Sequence, residues 1–311
     1  MAGDLSEALV EAINDVSGVH PGHRAAHAKG TVCRGTFTAT PEAAALTRAA
    51  HMQGETVPTT VRFSNGGGKP SRPDGAQDGR GMAVKFYLPD GSKTDIVAIT
   101  LPVFFARTVE DFLEFTRLRK PDPETGKPHL EKIGAYLAEH PEAQEAIQFG
   151  LAAQPPASYA QLRYNALHAY RFENVDGEAR FVRYGWQPEA GEASISPEES
   201  RQRPADYLQE EILERLSQGA VAFELHVTLA EDGDAVDDPT EHWPQERRDV
   251  LVGRLEITGP ETEREQGDDV LVFDPTRVTD GIETSADPIL HARPGAYSVS
   301  VERRAGVSAP S

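Results

Sequence analysis

Two short runs, 270 positions apart in the chain, carry residue types that could do chemistry together. The first is R-A-A-H-A-K-G, residues 24–30, in which His27 can take up and release a proton. The second is R-P-G-A-Y, residues 293–297, in which Tyr297 can bind iron as a phenolate. A phenol has a reference pKa of about 10, so iron and a nearby guanidinium would have to favour the anion. If the second run is helical, Arg293 lies on the same face as Tyr297 and can supply that guanidinium.

Three further runs lie between these two, and all five together resemble the motifs of a known protein family. They are V-R-F-S at 61–64, D-G-R-G-M-A-V-K-F-Y at 78–87 and L-P-V-F-F-A-R at 101–107. With all five runs in this order, the chain resembles the catalase family, and more closely its short catalase-related peroxidases, which consist of little more than the haem-binding core. The resemblance extends from about residue 20 to residue 304.

The resemblance implies a role for each matching residue. His27 is expected to be the acid-base group that takes a proton from the peroxide and returns it to the leaving oxygen, so that water departs. Tyr297 is expected to be the axial ligand of haem b, with Arg293 beside it. The haem propionates need cations, and the aromatics of the core stack on the haem or line its pocket. The candidates for binding the propionates are Arg24, Arg62 and Arg304. The candidates for the aromatics at the haem are Phe104 and Phe112.

The chain departs from the family pattern at two places. Catalases have an asparagine that helps to hold peroxide where this chain has Ile99, and Thr100 offers only a shorter hydroxyl. We therefore expect weak disproportionation of hydrogen peroxide, with turnover completed by a small organic donor. Ala26 stands where the related allene oxide synthases have a threonine, which argues against an isomerase of fatty-acid hydroperoxides.

Composition limits the classes of partner. The formal charge of −19 and the lack of any basic tract exclude nucleic acid and anionic membranes as expected partners. No run of about 18 apolar residues predicts a membrane span, and the acidic first residues resemble a helix more than a signal peptide. Cys33 is the sole cysteine, so an intrachain disulfide is impossible and a reducing compartment is favoured. These features predict a cytoplasmic enzyme whose partners are a peroxide and a small donor.

The hydrophobic patterns predict an α+β fold of six to eight mostly antiparallel strands. The resemblance makes this an eight-stranded antiparallel barrel with flanking helices, in one haem-binding core domain over residues 1–311, without a C-terminal flavodoxin-like domain. We expect a short N-terminal helix within 1–19, a tail at 305–311, and, because the arm is short, a monomer or homodimer. Strands are predicted at 31–39, 57–64, 82–88, 94–100, 220–229 and 249–258, a hairpin at 163–186, and helices at 40–50, 108–118, 129–151 and 205–218.

Several alternatives remain at this point. A true catalase would share these runs, and a haem store or sensor would share Tyr297 but have no need of His27. A ligand-binding barrel without metal would leave the arginines unexplained. A zinc site at His20, His23 and His27 is disfavoured because Pro21-Gly22 interrupts any helix that would align them. The glycine run at 66–69 lacks the pattern of a phosphate loop and is expected to be a flexible loop.

Overall fold

A computed structural model of the protein describes residues 2–261 and 271–304. Within these residues, the strands at Gly30–Ala39 and Val221–Leu229 alternate buried and more exposed side chains, as a sheet with one face on a core requires, whereas those at Val57–Asn65 and Arg80–Tyr87 are mostly buried. The strands are β1 Gly30–Ala39, β2 Val57–Asn65, β3 Arg80–Tyr87, β4 Lys93–Ile99, β5 Tyr164–Asn165, β6 Tyr170–Glu173, β7 Ala179–Pro188, β8 Val221–Leu229, β9 Asp249–Pro260 and β10 Ile282–Thr284. The helices are α1 Ala2–Ser17, α2 Pro41–Leu46, α3 Val109–Leu118, α4 Leu130–Glu139, α5 Gln144–Ala152, α6 Pro197–Gln202, α7 Tyr207–Gln218 and α8 Pro288–Arg304.

Eight of the strands close into an antiparallel barrel, as predicted. The ring runs β7-β5-β4-β3-β2-β1-β9-β8, and β8 pairs again with β7. Closure removes the open edges that such a sheet would otherwise expose. The two-residue strand β5 joins β4 to β7 through the Ile99↔Asn165 and Tyr164↔Trp186 pairs. The remaining strands, β6 and β10, extend from β7 outside the ring. Large aromatic side chains fill the interior, including the fully buried Phe37, Phe86 and Trp186.

A helical layer packs outside the barrel and joins the two ends of the chain. Helix α1 packs against both α3 and α8, with Leu9, Val109 and Ile289 in a shared apolar cluster. The approach of α1 to α8 is close, since a Cβ at Gly295 would lie 2.2 Å from the Ser6 hydroxyl oxygen. Helix α3 begins with the predicted capping box, in which the side chains of Thr108 and Asp111 each accept the other's backbone N–H.

Two predicted helices differ from the structure in their bounds. Helix α2 ends at Leu46, not near residue 50, because Thr47 is extended and donates its hydroxyl to the Gly281 carbonyl at 2.7 Å. The helical pattern at 129–151 is two helices, because Pro141 cannot continue α4. Helix α6 and strand β10 also form, in segments where no helix or strand was predicted. No helix among the described residues is both long and apolar enough to cross a membrane.

Candidate active site

The structure brings the two chemical runs together around one cavity of about 160 Å³. His27 lies on its lining, and so do Arg293 and Tyr297 from α8. The rest of the wall is mostly apolar, with side chains from α1, β3, β4 and residues 271–273. At one side the three predicted propionate partners, Arg24, Arg62 and Arg304, share this cavity and a second one of about 220 Å³.

His27 is held in a backbone conformation that few residues other than glycine adopt. Its φ of 53° is the sole positive value at a non-glycine position in the described residues. The N–H groups of His27 and Ala28 donate to the carbonyls of Gly66 and Gly67 at 3.0 and 3.1 Å. A Cβ at Gly68 would lie 1.9 Å from the Ala25 carbonyl oxygen. The glycine run that looked like a flexible loop therefore supports the strained histidine from close range.

The surroundings of His27 keep its imidazole neutral. Its Nδ1 lies 2.9 Å from the Ser64 hydroxyl oxygen, and Gly81 approaches the ring so closely that a Cβ there would lie 2.9 Å from Nδ1. Burial lowers the pKa of His27 to about 3, and the guanidiniums of Arg62 and Arg293 act in the same direction. A neutral imidazole can accept a proton, which is the property that a general base requires.

Tyr297 receives a hydrogen bond from a buried relay that the sequence analysis missed. Arg293 Nε donates to the Tyr297 oxygen at 2.8 Å, and its Nη1 lies 3.1 Å from His168 Nε2. Because a guanidinium only donates, Nε2 must accept, so the ring proton of His168 lies on Nδ1. That atom donates to Asp287 Oδ2 at 2.6 Å. Burial lowers the pKa of His168, which agrees with a neutral ring.

Asp287 also starts the helix that carries Tyr297. Its Oδ1 accepts the N–H groups of Ile289 and Leu290, at 2.8 and 3.2 Å, at the N-terminus of α8. The helix begins at Pro288 and continues through Pro294. Arg293 and Tyr297 therefore lie one turn apart on one helix. An Asp-Pro pair before a helix is a known start signal and could have been recognised. Nothing in the sequence pointed to His168.

The two predicted aromatics line a different part of the site. Phe104 and Phe112 stack at 5.8 Å and line a cavity of about 430 Å³. This cavity shares Ile13, His27 and Ile99 with the 160 Å³ cavity, so the two are contiguous at the imidazole.

The lining fits a haem by the chemistry of its donors. An imidazole and a phenol that accepts a hydrogen bond from Arg293 provide the two faces, and mostly apolar walls suit a flat macrocycle. Guanidiniums gathered at one edge suit two carboxylates. The predicted alternative of a zinc cluster finds no support in the described residues, where the three N-terminal histidines do not form a group of ligand atoms within metal-binding distance. His20 Nε2 instead lies 2.9 Å from the Ser17 carbonyl oxygen.

Comparisons with known proteins agree with this geometry. The family model described as Catalase matches residues 7–310. The chain is similar to a catalase-related peroxidase of Mycolicibacterium paratuberculosis, with 45% identity over 99% of this chain and 97% of the relative. It is also similar to a catalase-related peroxidase of Synechococcus elongatus, at 35% identity over 97% and 89%. A crystal structure of a fungal catalase aligns with a TM-score of 0.83 at 26% identity, covering 91% of this chain and 60% of the fungal one. The chain belongs to the catalase family of oxidoreductases that act on peroxide.

Proposed function

We propose that this chain is a haem-dependent peroxidase that reduces hydrogen peroxide or organic peroxides, oxidises a small organic donor and has weak catalase activity. The observation that carries the proposal is the shared lining of one cavity by a neutral imidazole, His27, and a hydrogen-bonded phenol, Tyr297. Relatives of nearly the same length that are called catalase-related peroxidases support it. The cytoplasmic location and the monomer or dimer expected from the sequence stay predictions.

The residues that would hold the cofactor, haem b, divide into three groups. Tyr297 would be the iron ligand, and Arg293 stabilises its negative charge by donating to the oxygen. Arg24, Arg62 and Arg304 would bind the propionates. When bound, the haem supplies the redox chemistry that carries electrons from the donor to the peroxide.

His27 moves the proton. If the ring proton of His27 lies on Nδ1 and donates to Ser64, the neutral Nε2 is available to accept a proton from one peroxide oxygen and to return it to the other. With two electrons and two protons supplied in turnover by the organic donor, the O–O bond of hydrogen peroxide would be reduced to two molecules of water, and that of an organic peroxide to an alcohol and water. The surrounding guanidiniums and the burial favour rapid return of the proton, since both destabilise the imidazolium.

Ile99 supports a peroxidase over a catalase. It lines the cavity beside His27, and no described residue on the lining of the 160 Å³ cavity is an asparagine or a glutamine. Thr100 does not replace the missing carboxamide, because it lines neither cavity, and its hydroxyl accepts the N–H of Arg80 at 3.1 Å. The amide of Asn165, which pairs with Ile99 in the sheet, donates to the Leu101 carbonyl at 3.1 Å and does not line either cavity. A second hydrogen peroxide molecule would therefore meet no side-chain amide on the lining beside Ile99, whereas an organic donor has no need of one.

The test compares oxygen release from hydrogen peroxide with oxidation of an aromatic donor, both per bound haem. Ile99→Asn should raise oxygen release by roughly fivefold, since a hydrogen bond to the peroxide is worth about 1 kcal/mol. The matched control, Ile99→Leu, keeps the volume without the amide and should leave the ratio unchanged.

His27→Gln should remove most of both activities while haem remains bound, a loss of roughly 100-fold or more. Rapid oxygen release in the wild type, unchanged by Ile99→Asn, would instead identify a true catalase. Bound haem with neither activity in the wild type would identify a store or sensor.

A further inference from the structure

A segment of the chain, residues 271–277, covers the outer face of β3 and β4 and forms one wall of the 160 Å³ cavity. Leu271 and Phe273 both line the cavity, and both are buried in an apolar cluster with Ala83 and Val97. The segment has no helix or strand over its described length. Contacts other than a helix or a sheet ladder must therefore hold it on the barrel.

One buried carboxylate, that of Asp95 on β4, binds this segment at several points. It accepts hydrogen bonds from Arg277 Nη1 at 2.7 Å and from the backbone N–H of Asp274 at 2.9 Å. It also accepts Lys85 Nζ of β3 at 2.6 and 2.9 Å, and that ammonium lies 5.2 Å from the centroid of the Phe273 ring. The backbone N–H of Asp95 donates to the Arg277 carbonyl at 3.1 Å. The segment therefore depends on Asp95 for its place on the barrel.

The Leu271 carbonyl connects this segment to two of the guanidiniums that would bind the propionates. Arg24 Nη2 donates to it at 2.9 Å, and Arg304 Nη2 donates to it at 3.4 Å. All three residues line both the 160 Å³ and the 220 Å³ cavity. A long side chain that a fixed acceptor already orients loses less rotamer freedom when it binds a carboxylate. The position of the Leu271 carbonyl therefore affects how well both arginines can bind.

We propose that Asp95 is a positioning residue for the haem: through segment 271–277 it places two guanidiniums that bind the propionates. It acts through the Leu271 carbonyl, the acceptor that Arg24 and Arg304 share. The inference rests on the proposed function and adds to it a residue that is not among those lining the three cavities. Because Asp95 orients charge at one edge of the site, its effect is specific to a ligand that carries the propionate charges.

The test measures how fast the full-length loaded protein releases haem, or haem dimethyl ester, to an excess of a haem-scavenging protein. Arg277→Gln detaches the segment but keeps the buried pair of Lys85 and Asp95. It should speed the release of haem roughly tenfold, through weaker charge-assisted hydrogen bonds, and that of the ester less than twofold. The matched control is Arg171→Gln. Its side chain is 34% exposed, against 36% for Arg277, and also pairs with carboxylates, but it is not among the cavity-lining residues, so both release rates should stay unchanged.

Asp95→Asn should give the same difference between haem and ester, because it removes the charge that binds Arg277. When Arg24→Met and Arg304→Met are both present, Arg277→Gln should speed haem release less than twofold further, since the guanidiniums through which it acts are gone. Equal acceleration of haem and ester release by Arg277→Gln would show a role in stability alone and overturn the inference. So would the full tenfold effect in the absence of both arginines. A protein that shows the expected release rates but oxidises no donor would refute only the proposed peroxidase, whereas a wild type that binds no haem would refute both.

Discussion

Gly81 controls the position of His27, and Gly81→Ala tests whether that position matters. A Cβ added at Gly81 would lie 2.9 Å from Nδ1 and Cε1 of the imidazole and 2.8 Å from the Ser64 hydroxyl oxygen. Carbon atoms do not remain at such distances, so the ring or the strand must shift by several tenths of an ångström. The backbone of His27 is already strained, and its N–H is fixed to Gly66, so the side chain has little room to adjust.

The expected stability cost is about 1–3 kcal/mol, which is typical of overpacking, and the fold should survive. The expected activity cost is larger. Positioned general acid-base catalysis contributes about 10²- to 10⁴-fold, so displacement of the imidazole should lower donor oxidation per haem by roughly 10- to 1000-fold.

The assay is initial-rate donor oxidation, with haem content and thermal unfolding measured on the same samples. Gly185→Ala is the matched control, since Gly185 is also in a barrel strand and an added Cβ there has no atom within 4 Å. If Gly81→Ala, with its haem retained, turned over as fast as Gly185→Ala, the proposed role of His27 geometry would be refuted.

Two further outcomes follow from buried histidines and their partners. Burial lowers the pKa of His51 to about 3, so its contribution to stability is complete above about pH 6.5 and is lost as the pH falls toward 3. When the pH is lowered from about 7 to about 5, the free energy of unfolding should therefore fall by about 2 kcal/mol less in His51→Leu than in the wild type. Urea titration of both proteins at both pH values measures this difference. Asp287→Asn can still cap α8, but its amide N–H would face His168 Nδ1. The ring proton would then move to Nε2, and Arg293 would lose the acceptor of its hydrogen bond. Haem affinity should fall about tenfold, with an altered visible spectrum, and an unaltered spectrum and affinity would contradict the relay.

Most barrel strands could be predicted from the sequence because alternation, as in β1 and β8, and enrichment in β-branched residues, as in β2, are local features of the chain. The eight-stranded closure came from the resemblance and is confirmed, but strand β5 could not have been found, since two residues carry no periodicity. Its existence depends on pairing with Ile99 and Trp186, far away in the chain. The early end of α2 has the same origin, because a tertiary hydrogen bond to Gly281 competes with the helix.

For the site, the residues inside recognisable runs could be named in advance, and their supports could not. His27 and Tyr297 stood in such runs, and the structure places both on one cavity. His168 stands in no recognisable run, and its importance follows only from burial between Arg293 and Asp287. Buried polar groups gain meaning from their partners, and partners are defined by the fold.

The packing of α1 against α8 has a consequence for the biogenesis of the protein. Translation delivers the His27 segment before the eight barrel strands and the Tyr297 helix after them. Under the proposed function, a nascent chain can offer only one wall to the cofactor until α8 has emerged and docked. Cofactor loading would then be a late event that distinguishes finished polypeptides from interrupted ones, and prematurely terminated products would stay colourless.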